Sequence, residues 1–223
     1  MKKLALLIIY ILNNNNIQAQ VQWAKQIYST SNTFNEYCNT FTDGTNNYMI
    51  GNFDEELRFP NDTLYASGSN EIFISKIDAN GNNLWNKTLI DPSNTTLDSE
   101  LGYAVFDSVN QCIYLAGHFV NQITFPGLTT LNGNSDIFLA KMDLNGNFIW
   151  AKSIGGTAGD SPMAIAIDAN SNVYITGGFA GTADFDPGVG VFNMTSAGQT
   201  DIYIAKYDAS GNFVWAKGII GGT

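Results

Sequence analysis

All four tryptophans of this chain occupy the same place in a repeated segment. They are Trp23, Trp85, Trp150 and Trp215, spaced by 62, 65 and 65 residues. The three later segments read FISKIDANGNNLWNKTL, FLAKMDLNGNFIWAKSI and YIAKYDASGNFVWAKGI. A fixed period of this size is typical of folds in which one supersecondary unit is repeated. We therefore predict units of about 23–84, 85–149 and 150–214, with a fourth starting at 215–223.

Each repeated segment has the pattern of a β-hairpin. Apolar, β-branched or aromatic runs flank an Asp-x-Asn/Ser-Gly-Asn turn, in which glycine accepts a positive φ. A second pair of runs lies between successive hairpins, such as Met163–Ile167 and Val173–Phe179 in the third unit. Each unit is therefore predicted to contain four strands, followed by a long loop such as Ala180–Thr200.

Several predicted strands are apolar along nearly their whole length, such as Ile202–Ala205. Strands of this kind are covered on both faces. Radially stacked sheets provide that cover, so we predict an all-β fold, a β-propeller of four-stranded blades with tryptophans between neighbouring blades. A β-sandwich is the alternative, but it gives no reason for one tryptophan at a fixed site in every unit.

The first nineteen residues have the construction of a secretory signal peptide. Two lysines precede an apolar run of nine residues, Leu4–Leu12, and cleavage after Ala19 would leave Gln20 as the N-terminus. The run is too short to span a bilayer, which takes roughly 20 residues. We therefore predict a signal peptide over 1–19, repeats over 20–223, no membrane span after cleavage, and a secreted or outer cell-surface protein.

The chain is acidic. Its formal net charge is −10, and removal of the two leader lysines would shift it to −12. A surface of this charge repels nucleic acid and anionic lipid, so we expect neither as a partner.

The lysines follow the period of the tryptophans. Those outside the leader lie two residues after a tryptophan or nine before one, and are Lys25, Lys87, Lys152, Lys217, Lys76, Lys141 and Lys206. Aspartate or glutamate residues also recur seven and fourteen residues before a tryptophan. A ring of charges at a pore is one interpretation; ion pairs, or lysine stems laid over tryptophan faces, is the other. We favour the second, because a residue repeated in every unit usually serves the unit.

No pattern points to catalysis, a cofactor or a metal, so we assign no catalytic, cofactor-binding or metal-binding residue. His118 follows an Ala-Gly step in a predicted strand, where packing or a rim position is expected. Asp168–Asn172 resembles the start of a calcium loop, but Val173 stands where glycine is required, so we predict a turn. Asp184 and Asp186 could offer loop carboxylates to calcium.

The two cysteines, Cys38 and Cys112, lie at non-equivalent positions of neighbouring units. An oxidising compartment would permit a disulfide between them. Two separate buried thiols are the alternative.

The repeated segment resembles the bacterial β-propeller repeat called SBBP. The resemblance rests on the pattern D-I-x-x-A-K-x-D-x-x-G-x-x-x-W-A-K-x-I-G-G and covers residues 21–223. It implies a secreted or surface propeller of the kind found in exported Bacteroidetes-type proteins, and no particular activity. Residues 205–215 are also similar to the tryptophan-docking motif of quinoprotein dehydrogenases. Those enzymes use adjacent cysteines, whereas Cys38 and Cys112 are 74 residues apart.

The positions of the repeats along the chain predict an incomplete propeller ring. The mature chain begins with a tryptophan strand that lacks its hairpin partner, and three units are fewer than the usual four to eight blades. We expect either a fragment of a longer protein, with further blades, or self-association.

Our functional hypothesis is a non-catalytic binding or scaffold module for an unidentified protein or glycan ligand. Function would then lie in the unrepeated loops, Asp54–Ser69 and Ala180–Thr200. The alternative is a propeller enzyme, either a polysaccharide hydrolase or lyase or a quinoprotein-like oxidoreductase.

Overall fold

A computed structural model describes residues 38–66, 71–89 and 103–221, together with the backbone of residues 4–8, 24–29 and 100–102. Every regular element in these ranges is a β-strand, which confirms the all-β prediction. The sheets are antiparallel and none closes on itself. In the described part of the chain there is no helix of the length and hydropathy needed to cross a membrane.

The strands are numbered in chain order. They are β1 (Leu4–Ile8), β2 (Ala24–Ser29), β3 (Cys38–Thr42), β4 (Asn47–Phe53), β5 (Glu56–Phe59), β6 (Asp62–Tyr65), β7 (Glu71–Ile77), β8 (Asn83–Leu89), β9 (Glu100–Asp107), β10 (Cys112–Phe119), β11 (Gln122–Ile123), β12 (Leu131–Asn132), β13 (Asp136–Asp143), β14 (Phe148–Gly156), β15 (Asp160–Ile167), β16 (Val173–Phe179), β17 (Thr182–Asp184), β18 (Asn193–Thr195), β19 (Asp201–Tyr207) and β20 (Phe213–Ile219).

Three four-stranded meanders, which we call the repeat sheets, form the body of the described structure. The first contains β3, β4, β7 and β8, the second β9, β10, β13 and β14, and the third β15, β16, β19 and β20. A short hairpin is inserted between the second and third strands of each: β5–β6, β11–β12 and β17–β18. The four strands per unit that the sequence predicts are therefore present in each repeat sheet.

The repeat sheets begin and end at different residues from the predicted units. Trp215, which the sequence places at the start of a fourth unit, lies in β20 and completes the third sheet. Trp85 and Trp150 lie in the equivalent last strands, β8 and β14. A period gives the length of a unit but not its first residue, because any point of the period can serve as the start. The number of units in the complete protein stays a prediction.

The structure also pairs two strands near the N-terminus. Leu4–Ile8, inside the predicted signal peptide, lies antiparallel to Ala24–Ser29, which in turn pairs with β5. The pairing concerns the backbone of the full-length chain, and cleavage of the leader stays a prediction.

The three repeat sheets pack face to face. The first strand of each sheet, β3, β9 and β15, lies against the first strand of its neighbour. One apolar cluster fills the space between the first and second sheets, and another fills the space between the second and third. This arrangement is consistent with a propeller-like fold.

Trp85 and Trp150 lie between neighbouring sheets, as the sequence predicts, whereas Trp215 lies on a face that no described sheet covers and Trp23 lies outside the described residues. Trp150 of the second sheet faces Gly211 in the β19–β20 turn of the third, where an added Cβ would lie 3.0–3.1 Å from its ring. Trp85 and Lys87 of the first sheet face Gly146 of the second, where a Cβ would lie 3.4 and 2.9 Å from them. The ring of one sheet therefore packs on the turn glycine of the next.

Gly211→Ala is expected to destabilise the protein more than Gly44→Ala. Both glycines have positive φ, +77° and +89°, so both variants incur a backbone penalty of roughly 1–2 kcal/mol. Only at Gly211 does the methyl group also meet a tryptophan, since nothing lies within 4 Å at Gly44. Urea unfolding followed by circular dichroism should give the lower midpoint for Gly211→Ala. Equal midpoints would contradict the role assigned to the tryptophan–glycine contact.

Candidate functional site

The periodic lysines lie over aromatic rings. Three lysine Nζ atoms lie 5.3, 5.2 and 5.0 Å from tyrosine ring centroids, in the pairs Lys76–Tyr48, Lys141–Tyr114 and Lys206–Tyr174. The repeat tryptophan of the same sheet lies 6.0–6.2 Å from that tyrosine, centroid to centroid. This supports the structural interpretation of these three lysines, with one correction: the ring beneath each is a tyrosine of the second strand. The tyrosines recur in every unit, and that signal could have revealed them.

Two of these lysines also join neighbouring sheets. Lys76 Nζ donates to the carbonyl of Leu144 at 2.9 Å, and Lys141 Nζ donates to the carbonyl of Ala209 at 3.3 Å. Both carbonyls belong to the hairpin turn of the following sheet. Lys206, on the third sheet, instead lies 3.4 Å from the carboxylate of Asp168 within its own sheet.

One face of the third sheet is exposed, although the equivalent face of each of the other two sheets is buried. We call it the open face, and it comprises Ile202, Ile204, Lys206, Trp215, Lys217 and Ile219. These side chains share one face because they alternate along β19 and β20 and pair across them.

Exposure at three equivalent positions distinguishes the open face. Ile202, Ile204 and Ile219 are 53%, 38% and 66% exposed. Their counterparts are at most 2% exposed, and are Ile72, Ile74 and Leu89 in the first sheet and Ile137, Leu139 and Ile154 in the second. The same apolar positions are thus covered by a neighbouring sheet twice and uncovered once, which marks the open face as a candidate interaction surface.

Two carboxylates lie buried where the second and third sheets meet. Asp160 is 1% exposed and accepts hydrogen bonds from the backbone N–H of Gly156 at 3.0 Å and of Ala180 at 3.2 Å. Asp136 is 7% exposed and accepts a bond from Ser153 Oγ at 3.3 Å. Burial raises the pKa of both carboxyls, for Asp160 to about 7, with the charge of Asp136 adding to the rise. These bonds join the start of β15 to the end of β14 and to the residue after β16, and the start of β13 to β14.

His118 lies beside this pair at the end of β10. Its Nε2 is 2.8 Å from Ser135 Oγ, at the residue before β13, and the ring is half-buried. The histidine thus holds the two ends of the second inserted hairpin together, and its charge opposes the rise in the pKa of Asp136.

The loops that the sequence predicts to be unrepeated contain the inserted hairpins, which are a repeated element; a functional role for these loops stays a prediction. Each hairpin carries one buried phenylalanine at an equivalent place, and these are Phe59, Phe125 and Phe185. Their rings lie 6.2, 5.4 and 4.9 Å, centroid to centroid, from Phe73, Phe138 and Tyr203 of the third strands. In the described residues each inserted hairpin therefore adds one ring to the core, while most of residues 188–200 is exposed. The sequence does hold a signal for these rings, because each lies six residues after another phenylalanine, Phe53, Phe119 or Phe179.

Asp184 and Asp186, suggested as carboxylates for calcium, accept hydrogen bonds from the backbone of their own loop. Asp184 Oδ1 accepts the backbone N–H of Asp186 at 3.0 Å and of Phe192 at 2.8 Å. Asp186 Oδ1 accepts the N–H of Gly188 at 2.8 Å. Asp168 likewise accepts N–H bonds from its own turn, through Oδ1. Within the described ranges, no three His, Cys, Asp or Glu side chains are grouped as metal ligands.

Both cysteines are free thiols in the structure. Cys38 is exposed on β3, whereas Cys112 is buried at the start of β10. Of the two alternatives that the sequence leaves open, the disulfide is therefore not formed, and only one of the two thiols is buried.

Comparison with known proteins gives partial similarities. No protein-family model matches the chain. An uncharacterized WD repeat-containing protein of Acanthamoeba polyphaga mimivirus is 32% identical over 100 residues, which cover 39% of this chain and 7% of that protein. The regulatory protein FlaEY of Caulobacter vibrioides is 29% identical over 85 residues, 38% of this chain and 9% of that protein. The chain thus spans less than a tenth of either relative. Together with the stacked antiparallel sheets, the similarity points to a propeller-like repeat β protein.

Asp160 is expected to make stability depend on pH between about 4 and 7. Because its folded pKa, about 7, exceeds the ordinary 3.8, the folded state holds the proton more tightly, and stability falls as pH rises through this window. The slope should reach at most about 1.4 kcal/mol per pH unit from this group.

Urea unfolding at pH 5, 6 and 7 measures that slope, which Asp160→Asn should reduce. Asp168→Asn is the control, since hydrogen bonds from Asn172 lower the pKa of Asp168 and place its effect at more acidic pH. A slope unchanged in Asp160→Asn would contradict the assignment.

Proposed function

We propose that this chain is a non-catalytic binding or scaffold module, part of a secreted or cell-surface β-propeller of the SBBP type, and that it works through the open face. The observation that carries the proposal is the exposure of Ile202, Ile204 and Ile219 at positions that the other two sheets bury. A contiguous apolar patch with few charges is typical of a protein-binding surface.

The propeller arrangement has independent support. The first strands of neighbouring repeat sheets lie against each other, and the outer strands carry the tryptophans that fill the space between sheets. WD repeats, which the printed name of one relative includes, form four-stranded propeller blades. The number of blades and the closure of the ring are part of the proposal.

A non-catalytic role is supported by where the polar groups lie. Asp136 and Asp160 are buried, and Asp184 and Asp186 accept N–H bonds of their own loop. The open face itself carries three isoleucines, a tryptophan and two lysines, with no carboxylate or histidine among them. Because isoleucines make up half of this surface, we favour a protein partner over a glycan, which would find one aromatic ring, Trp215, on which to stack.

The dye 1-anilinonaphthalene-8-sulfonate, an aromatic anion whose fluorescence rises in apolar surroundings, is expected to bind the open face. Replacing Ile202 and Ile204 together by Glu should abolish most of the dye fluorescence, because charge replaces the apolar surface. Ile149→Glu is the matched control: Ile149 is 51% exposed, at the bulge of the second sheet and outside the open face. Circular dichroism verifies that each variant is folded. Equal dye fluorescence in wild type and both variants would contradict the proposed surface.

Export is expected to remove the leader. Expression of the full chain in a Gram-negative host, followed by N-terminal sequencing of the exported protein, should give Gln20 as the first residue. Ala19→Tyr should slow this cleavage, because the residue before the cut must be small. Retention of intact Met1 protein in the cytoplasm would contradict a secreted or surface location.

A further inference from the structure

We propose that Asp136 and Asp160, buried where the second and third repeat sheets meet, bind one calcium ion between Asp136 Oδ1 and Asp160 Oδ2. The site is separate from the open face, and the inference goes beyond the proposed function. It commits to a divalent cation that prefers oxygen ligands, with these two carboxylates as the ligands that the protein supplies first.

The equivalent aspartate of the third sheet shows which hydrogen bond the pair lacks. Asp201 stands at the position of Asp136, and its Oδ1 accepts the backbone N–H of Gly221 at 2.8 Å. Gly156 stands at the position of Gly221, but its N–H donates to Asp160 Oδ2 at 3.0 Å. Asp136 Oδ1 is therefore buried without a hydrogen-bond partner. The second carboxylate has taken the donor that the first would otherwise use.

The unpartnered oxygen faces the other carboxylate. A Cβ built on Gly155 would lie 2.6 Å from Asp136 Oδ1 and 2.9 Å from Asp160 Oδ2, so both oxygens approach the same side of this glycine. In the third sheet the position of Gly155 is occupied by Ile220. A glycine at position 155 thus leaves the two carboxylates room to converge.

The converging carboxylates need a balancing positive charge. Asp160 is 1% exposed and Asp136 is 7% exposed, and a buried charge is costly unless it is paired. The charge of His118 acts on Asp136, but one histidine carries at most one positive charge. A divalent cation balances both carboxylates at once and gives Asp136 Oδ1 the partner that it lacks.

The hydrogen bonds at the pair favour a cation over a shared proton. Asp160 accepts N–H bonds on both oxygens, from Ala180 on Oδ1 and from Gly156 on Oδ2. Asp136 Oδ2 accepts a bond from Ser153 Oγ. Hydrogen bonds of this kind stabilise the ionised form of a carboxyl group. Two ionised carboxylates that converge form a site for a hard cation.

The hydroxyl of Tyr203 is a second unpartnered oxygen at this junction. It is fully buried and has no hydrogen-bond partner. Burial raises the pKa of Tyr203 well above its usual range, and the charges of Tyr207 and Asp160 add to the rise, so the hydroxyl lies within the field of Asp160. Calcium accepts roughly six to eight oxygen ligands in a flexible geometry, whereas magnesium demands a near-ideal octahedron. An irregular set of carboxylate, hydroxyl and water oxygens therefore suits calcium.

Calcium binding is measured on the full chain after treatment with a chelator. Isothermal titration with CaCl2 at pH 7.5 should show a site with a Kd of about 10⁻⁴–10⁻³ M, the range of extracellular calcium modules. The pH dependence expected of Asp160 belongs to the chelator-treated protein, because a bound cation keeps both carboxylates ionised.

Asp136→Asn should weaken calcium binding at least about tenfold, because the site loses one charged ligand. Asp201→Asn is the matched control: Asp201 has the same position in the third sheet, and its two oxygens accept backbone N–H bonds from Gly221 and Ala197. This control should keep the affinity of the wild type. Circular dichroism verifies that each variant is folded.

A second measurement needs no variant. In nuclear magnetic resonance spectra of the wild type, the amide signal of Gly156, which donates to Asp160, should shift as CaCl2 is added. The amide signal of Gly221, which donates to Asp201, should stay in place. The same concentration of MgCl2 should shift the Gly156 signal less.

A Gly156 signal that does not respond to CaCl2 would overturn the inference. Equal calcium affinity in the wild type and folded Asp136→Asn would also overturn it, since the bound ions would then lie elsewhere. Equal responses of Gly156 to MgCl2 and CaCl2 would overturn the choice of calcium.

Discussion

The contact between a tryptophan ring and the turn glycine of the next sheet is the interaction on which the described structure depends. A four-stranded sheet with two apolar faces is not stable alone, because both faces must be removed from water. The tryptophan buries a large apolar area at the outer strands, where the sheets diverge from their touching first strands. Glycine is required opposite the ring because the turn needs a positive φ and because a side chain would push the sheets apart.

The function that we propose rests on the same constraint. A fold built by covering each sheet with the next leaves a usable surface wherever a sheet is uncovered, and in the described residues that surface is the open face of β19 and β20. Groups that the sequence leaves open as functional candidates contribute to the fold: Lys76 and Lys141 join neighbouring sheets, and Asp184 holds its hairpin loop.

Much of the fold could be predicted because the repeat is local. The Asp-x-x-Gly-Asn turn between apolar runs predicts each β7–β8-type hairpin, and the tryptophan period predicts one sheet per unit. The frame could not be predicted, because a period has no marked start, and so Trp215 was placed at the beginning of a unit and not at its end. The inserted hairpins were missed although Phe59, Phe125 and Phe185 each lie six residues after the phenylalanine that ends the preceding strand, because the remainder of each hairpin differs in sequence and length. The exposure of the open face could not be predicted from the sequence, since Ile202 and Ile204 are aliphatic residues like their buried counterparts in the other two sheets.

Nuclear magnetic resonance of the glycine α protons tests the central contact most directly. A proton above an indole ring is shifted upfield by the ring current, so the α protons of Gly211 should resonate upfield of those of Gly44. Trp150→Leu should return the Gly211 signals to the ordinary range and leave those of Gly146, which lies against Trp85, in place. Gly211 signals in the ordinary range in the wild type, or unchanged in Trp150→Leu, would contradict the account.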